Sequence, residues 1–167
     1  MEAQSTAAKI QSNLQELFKA KSTPGNSYIR FQLDREFSAL LSMARVQESL
    51  LIDARQIAPL PGMPPSTIGI TSRRDRVFCV FDLAQVLGIT STLAAPRQYQ
   101  VIVLQASEED SGYIGLAVHR FLGMARLTTK QIASSVDVSF APFVSGATQE
   151  EPVPILDLNL IIEAIAN

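Results

Sequence analysis

Residues 69–83 read Gly69-Ile70-Thr71-Ser72-Arg73-Arg74-Asp75-Arg76-Val77-Phe78-Cys79-Val80-Phe81-Asp82-Leu83. They divide into an approach strand, a charged turn and a second strand that is apolar almost throughout. Val77 to Phe81 is a continuous apolar run, which suits a strand buried on both faces; periodicity alone leaves a buried helix open. Val, Phe and Cys favour the strand, because β-branched and aromatic side chains fit a pleated, packed surface. Arg73, Arg74, Asp75 and Arg76 mark where the chain reverses in water. Asp75 suits the tip, since Asp tolerates turn and left-handed conformations better than most residues.

Outward from this hairpin, short strands and turn signals dominate. Tyr28 to Leu33 alternates, Asp34-Arg35-Glu36 turns, and Phe37 to Ser42 returns, which predicts a second hairpin. Pro59, Pro61, Pro64 and Pro65 with Gly62 exclude a long helix before the central hairpin. Ala84 to Gly88 reads as one short helical turn ending at glycine, and Thr90 to Gln98 as a polar link. Tyr99 to Gln105 and Tyr113 to Phe121 read as strands around an acidic turn, Glu108-Glu109-Asp110-Ser111-Gly112. Many short strands with turn signals predict an all-β class. Two helices flank it. Residues 6–20 carry Ile10, Leu14, Leu17 and Phe18 at helical spacing, capped by Ser5 or Thr6 and stopped by Pro24-Gly25. Leu158, Ile161, Ile162 and Ile165 give a terminal helix an apolar stripe, with Asp157 as its cap.

Composition excludes several functions. The 167 residues are 47% hydrophobic and carry a net charge of −2, so no nucleic-acid partner is expected. Charge is uneven, +2 over residues 1–91 and −4 over 92–167, a polarity able to orient a protein partner. A single cysteine, Cys79, excludes an internal disulfide and fits a reducing cytosol. No apolar stretch approaches the roughly 18 residues that span a bilayer, and the N-terminus lacks signal-peptide order. The expectation is a cytoplasmic protein without direct membrane insertion.

Catalytic and cofactor signals are missing. No G-x-G-x-x-G or G-x-x-x-x-G-K-[ST] loop is present to cradle phosphates. One histidine and one cysteine make no usual zinc set. A Ser-His-Asp arrangement would need His119, which lies in a strand-like run with no G-x-S-x-G elbow elsewhere. Cys79, inside an apolar strand, reads as a small inert hydrophobe. Arg74 has two readings from its residue type. It is a solvated turn cation paired with Asp75 or Asp82, or a planar anchor for a partner's carboxylate. By pattern, Val46 is core and Glu48 a surface charge.

The central hairpin also resembles the signature of CheW-like domains, the adaptor proteins of bacterial chemosensory arrays. That family reads Gly-Val-x-Asn-x-Arg-Gly, then an apolar stretch, then Pro-Val-x-Asp-Leu. Gly69, Arg74, Val80, Asp82 and Leu83 stand at matching positions; Ser72, Asp75 and Cys79 replace the usual Asn, Gly and Pro. Val46, Glu48 and Leu50 resemble the family's Val-x-Glu-x-Leu segment, and Pro59-Leu60-Pro61 its Pro-rich stretch. Gly115 and Val118 resemble a later strand, in which His119 replaces Asp. Pro142 to Gly146 and Val153 to Leu158 resemble the last two strands. The resemblance covers residues 28–165.

The resemblance implies two small intertwined five-stranded β-barrels with short helices. Residues 1–27 would form an N-terminal amphipathic helix and linker, and residues 28–167 the CheW-like domain. It implies a non-catalytic, cofactor-free adaptor coupling methyl-accepting chemoreceptors or photoreceptors to a CheA-type histidine kinase. Chemotaxis, phototaxis or pilus motility would be the setting. At this length there is no room for the kinase's own domains, so a stand-alone adaptor is expected. The groove between barrels would receive the receptor's helical tip, with Val46 and Glu48 nearby. Val46, Glu48, Arg74, Asp75, Val80 and Asp82 are the protein-binding residues carried over by resemblance. Two rivals are a homo-oligomeric scaffold that self-associates through the N-terminal helix stripe and a small ligand-binding β-barrel.

Overall fold

The apolar run after the charged turn is a strand with partners on both edges. In a computed structural model describing residues 10–11, 25–107, 112–134 and 137–166, β4 (Thr67–Arg73) pairs antiparallel with β5 (Arg76–Asp82). β5 also pairs in parallel with β7 (Tyr113–Val118). Phe78, Val80 and Phe81 of this inner strand are buried, but Val77, next to the charged turn, is 64% exposed, so burial on both faces begins at Phe78 and not at Val77 as the apolar run suggested. β6 (Gln98–Gln105) and β3 (Val46–Asp53) complete a five-stranded sheet in the order β3-β6-β7-β5-β4.

The other sheet joins the two ends of the chain. β1 (Asn26–Gln32) and β2 (Ser38–Ser42) form a hairpin whose turn is fixed by Asp34. Its Oδ1 accepts from the backbone N–H groups of Glu36 and Phe37, at 2.8 and 2.7 Å. β8 (Arg120–Leu127), β9 (Ile132–Ala133), β10 (Val144–Thr148) and β11 (Pro154–Leu156) extend it to the order β8-β1-β2-β11-β10-β9. The expectation of five strands in each unit is therefore corrected for this sheet, which has six among the described residues. The extra strand is the two-residue β9, laid against β10 by a 3₁₀ turn, Thr129–Gln131, with a reciprocal Thr128–Gln131 capping box. The expected closure into barrels is not made by a continuous ladder in either sheet among the described residues. The edge strands β8 and β9 are joined by that turn, and the chain leaving β3 meets β4 through one bridge, Ala58 to Ile70.

That bridge explains a glycine. A Cβ on Gly69 would lie 2.3 Å from the Ala58 carbonyl oxygen, so only glycine lets the two segments approach.

The two sheets repeat one ladder. Each has an antiparallel hairpin whose second strand pairs in parallel with a strand leading into a helix: β5 into α1 (Leu83–Val86), β11 into α2 (Leu158–Ala166). Asp157 caps α2 through bonds from the N–H groups of Asn159 and Leu160. Gly88, at φ 77, follows α1. The expected helix over residues 6–20 lies outside the described residues except for Ile10 and Gln11, which are helical. The acidic turn at Glu108 to Ser111 also lies outside them.

Three apolar layers result. The largest lies between the sheets and includes Phe31, Leu41, Phe81, Ile102, Leu116 and Ile161. Ile52, Phe78, Val80, Val101 and Val103 fill the inner face of the five-stranded sheet. Tyr28, Leu40 and Ile155 form a smaller cluster inside the other. Arg45, at the crossover from β2 to β3, ties the parts together. It donates to the carbonyls of Gln105 (3.1 Å) and Ala106 and to Asn159 Oδ1 (2.7 Å).

Replacing Gly69 by alanine should push Ala58 away from β4. We expect a loss of about 1–3 kcal/mol in urea unfolding, and an unchanged midpoint would contradict the close-approach argument.

Candidate functional site

The register Arg73 to Arg76 leaves a two-residue loop, Arg74-Asp75, between β4 and β5. Both residues lie in the left-handed region, at φ 51 and 63. Positive φ at both central positions matches the twist of a tight hairpin, normally with Asn-Gly or Asp-Gly there. The loop holds a non-glycine pair and is strained accordingly.

Beneath the loop, the carboxylate of Glu48 faces two cations. Its Oε1 lies 3.6 Å from Arg73 Nε and its Oε2 3.6 Å from Arg74 Nη1. These separations make ion pairs and not hydrogen bonds, worth at most about 1 kcal/mol at such exposure. Glu48 reaches this place through a bulge. The ladder to β6 skips Gln47, so Val46 faces Leu104 and the central layer while Glu48 faces Val103 on the inner side of the sheet. The Arg74 side chain is 75% exposed, against 25% for Glu48, so the arginine is the group open to a partner. The Arg76 guanidinium sits 4.3 Å from the Tyr113 ring centroid, a cation–π contact that fixes a third arginine at the tip.

The other residues carried over from the resemblance are placed differently. Val80 is fully buried in the inner layer. Asp82 is also buried: its Oδ2 accepts from Ser91 Oγ, and its N–H donates to the Ser66 carbonyl at 2.7 Å. Both hold the hairpin from below and neither reaches the surface. Burial, with the Asp82 carboxylate adding to it, pushes the Tyr99 phenol above its ordinary range. His119 is half-buried and lies with Nδ1 2.7 Å from Thr92 Oγ1. Cys79 is half-buried against the central layer.

A second exposed feature was not expected from sequence. Leu51 on β3 is 56% exposed and pairs across the ladder with Gln100. The Gln100 side-chain carbonyl accepts from the Phe121 N–H at the start of β8, 2.7 Å away. That bond joins the Leu51 row to β8, where Leu122 and Met124 are exposed. Exposed apolar side chains thus flank the seam between the sheets. Among the described residues, no group of three or more His, Cys, Asp or Glu could hold a metal, and no helix is long and apolar enough to cross a membrane.

The sequence model of the CheW-like domain matches residues 27–166. The chain is 27% identical over 119 residues to the chemotaxis protein CheW of Thermotoga maritima, covering 70% of this chain and 76% of that protein. Its fold is similar to the crystal structure of the scaffolding protein TtCheW from Thermoanaerobacter tengcongensis. The TM-score is 0.69 and the identity 20%, with 83% of this chain and 92% of that one covered.

Two outcomes test this geometry. Asp75→Gly relieves one left-handed residue and should raise stability by up to about 1 kcal/mol; a loss would contradict the loop geometry. The raised Tyr99 pKa means that its stabilising share is full below the ordinary phenol pKa and is lost as pH rises through the folded value. Asp82→Asn removes the carboxylate contribution and leaves burial. Tyr99 should then form its phenolate at lower pH than in the wild type, read by phenolate absorbance; an unmoved titration would contradict the coupling.

Proposed function

Because the chain belongs to the CheW-like domain family, we propose that it is a non-catalytic adaptor of a chemotaxis-type signalling array. In this reading it couples the cytoplasmic tip of a methyl-accepting chemoreceptor, or a photoreceptor of that kind, to a CheA-type histidine kinase. Phototaxis and pilus motility are settings of the same class. The protein works in the cytoplasm and needs no cofactor.

One observation carries the reading: a charged hairpin tip, with exposed Val77 beside it, and an apolar row at the seam lie on opposite faces of β3. The hairpin tip offers Arg74, a permanently charged planar donor suited to a partner's carboxylate or backbone carbonyl. The seam offers Leu51, Leu122 and Met124, a strip of the kind that receives the apolar face of a helix. Met adapts to irregular partner surfaces. Glu48 supports the tip, Val46 anchors the adjoining bulge in the central layer, Asp75 sets the turn, and Val80 and Asp82 hold the strand in the interior. An adaptor with two such surfaces holds kinase and receptor together, and a bias at one interface can be felt at the other.

Affinity purification from the native cells, followed by mass spectrometry, tests this. The wild type should recover receptor and kinase peptides together. Arg74→Ala should weaken one partner by at least about tenfold, the loss expected for a charged hydrogen bond. Leu51→Lys should weaken the helical partner, and neither substitution should change the unfolding midpoint appreciably, since both sites are exposed. Recovery of neither partner by the wild type would overturn the adaptor reading.

A further inference from the structure

The two repeated ladders can be compared position by position, and they differ at one charged site. Val103 pairs with Gly115 and Glu48, and Gly115 pairs with Val80, two residues before Asp82. Arg30 pairs with Leu40 and Gly123, and Leu40 pairs with Ile155, two residues before Asp157. Arg30 thus occupies the place of Val103, and Gly123 the place of Glu48. Each ladder also skips one residue at the same point, Gln47 in β3 and Leu122 in β8.

The consequence is an opening. Val103 is sealed in an apolar layer, whereas the matching interior around Arg30 buries only Tyr28, Leu40 and Ile155 among the described residues. Opposite Arg30, Gly123 contributes no side chain, and a Cβ built there would meet open space. Two clefts of about 290 and 480 Å³ meet at Arg30, Glu151 and Val153. The Arg30 Nε is buried without a hydrogen-bond partner among the described residues. Arg30 as a whole is half-buried at the clefts, and an unmatched buried N–H donor is costly, so an acceptor entering the cleft would be favoured there.

The lining says with what. A guanidinium takes a carboxylate through its planar fork. Glu150 and Glu151, both exposed on the turn between β10 and β11, face the same opening, and Glu36 and Asp137 line the larger cleft. This excess of carboxylates disfavours a polyanion and favours a ligand that carries a cation beside its carboxylate. Leu40, Ala125, Leu127 and Val153 supply an apolar wall. We propose that this cleft binds a small zwitterion with an aliphatic stem, of the α-amino acid class. Its carboxylate would sit on Arg30 and its ammonium towards Glu150 and Glu151. The site is separate from the hairpin tip and independent of the adaptor reading.

The test uses the full chain labelled with ¹⁵N and three probes. These are L-leucine, 4-methylpentanoate (which lacks the ammonium) and 3-methylbutylamine (which lacks the carboxylate). Leucine should produce saturable shifts at the amides of Gly123, Ala125 and Val153. Each singly charged probe, and leucine with Arg30→Met, should bind at least about tenfold more weakly. The Glu150→Gln/Glu151→Gln double variant lies at exposed positions and keeps the test usable if Arg30→Met does not fold. It should erase the preference for leucine over 4-methylpentanoate. No saturable shift with leucine, an equal response in Arg30→Met, or no preference in the wild type would overturn the proposal. So would equal stability losses in Arg30→Met and Glu151→Gln without any ligand response, which would make Glu151 the partner of Arg30.

Discussion

The apolar layer between the two sheets is the contact on which the rest depends. It draws on β1, β2, β5, β6, β7, β11 and both helices, and so on both ends of the chain and its middle. Each sheet has an apolar face that water would otherwise cover, and burying the two against each other supplies the main driving force. Because the chain leaves the six-stranded sheet after β2 and returns to it at β8, it crosses between the layers twice. Arg45 secures one crossing through Gln105, Ala106 and Asn159. At the other, the His119 N–H donates to the Gln32 carbonyl and the Phe121 N–H to Gln100. The small units are therefore halves of one cooperative body, and the exposed features stand in a fixed relation.

The hairpin shows how a short motif divides its labour. Gly69 permits the close approach to Ala58. Val80 and Leu83 are buried without exposure, and Asp82 is held in the interior by Ser91 and the Ser66 carbonyl. Of the five residues that carry the resemblance, Arg74 is the one at the surface. The others build the platform that presents it. Glu48 keeps the arginine oriented without covering it, since an ion pair at 3.6 Å is weak and leaves the donors available.

Much of this was legible in the sequence. The two tight hairpins, the Asp157-capped terminal helix and the glycine after α1 are local events, written in turn chemistry and period. Strand β8 was not legible. Arg120 to Leu127 neither alternates nor runs apolar, because a bulge at Leu122 and the positive φ of Gly123 break its period. The two-residue β9 is too short to leave a pattern. The internal repeat is also invisible, because the matched positions hold unrelated residues, Arg30 for Val103 and Gly123 for Glu48. The meeting of Glu48 with Arg73 and Arg74 depends on the Gln47 bulge and on the approach of the two edge strands β3 and β4. That is also why Glu48 read as an ordinary surface charge. Burial of Val80 followed from the apolar run, whereas that of Asp82, just past the run, did not; their positions in the motif suggested contact residues.

The claim that two separate surfaces on one rigid fold serve two partners can be tested directly. Backbone amide shifts of the labelled chain would be mapped on adding a receptor-tip helical hairpin, and then on adding the kinase domain that binds adaptors. Two non-overlapping patches are predicted, one centred on Arg74 and Arg76 and the other on Leu51, Leu122 and Met124, with both occupied in the ternary mixture. A single shared patch, or competition between the two partners, would contradict it.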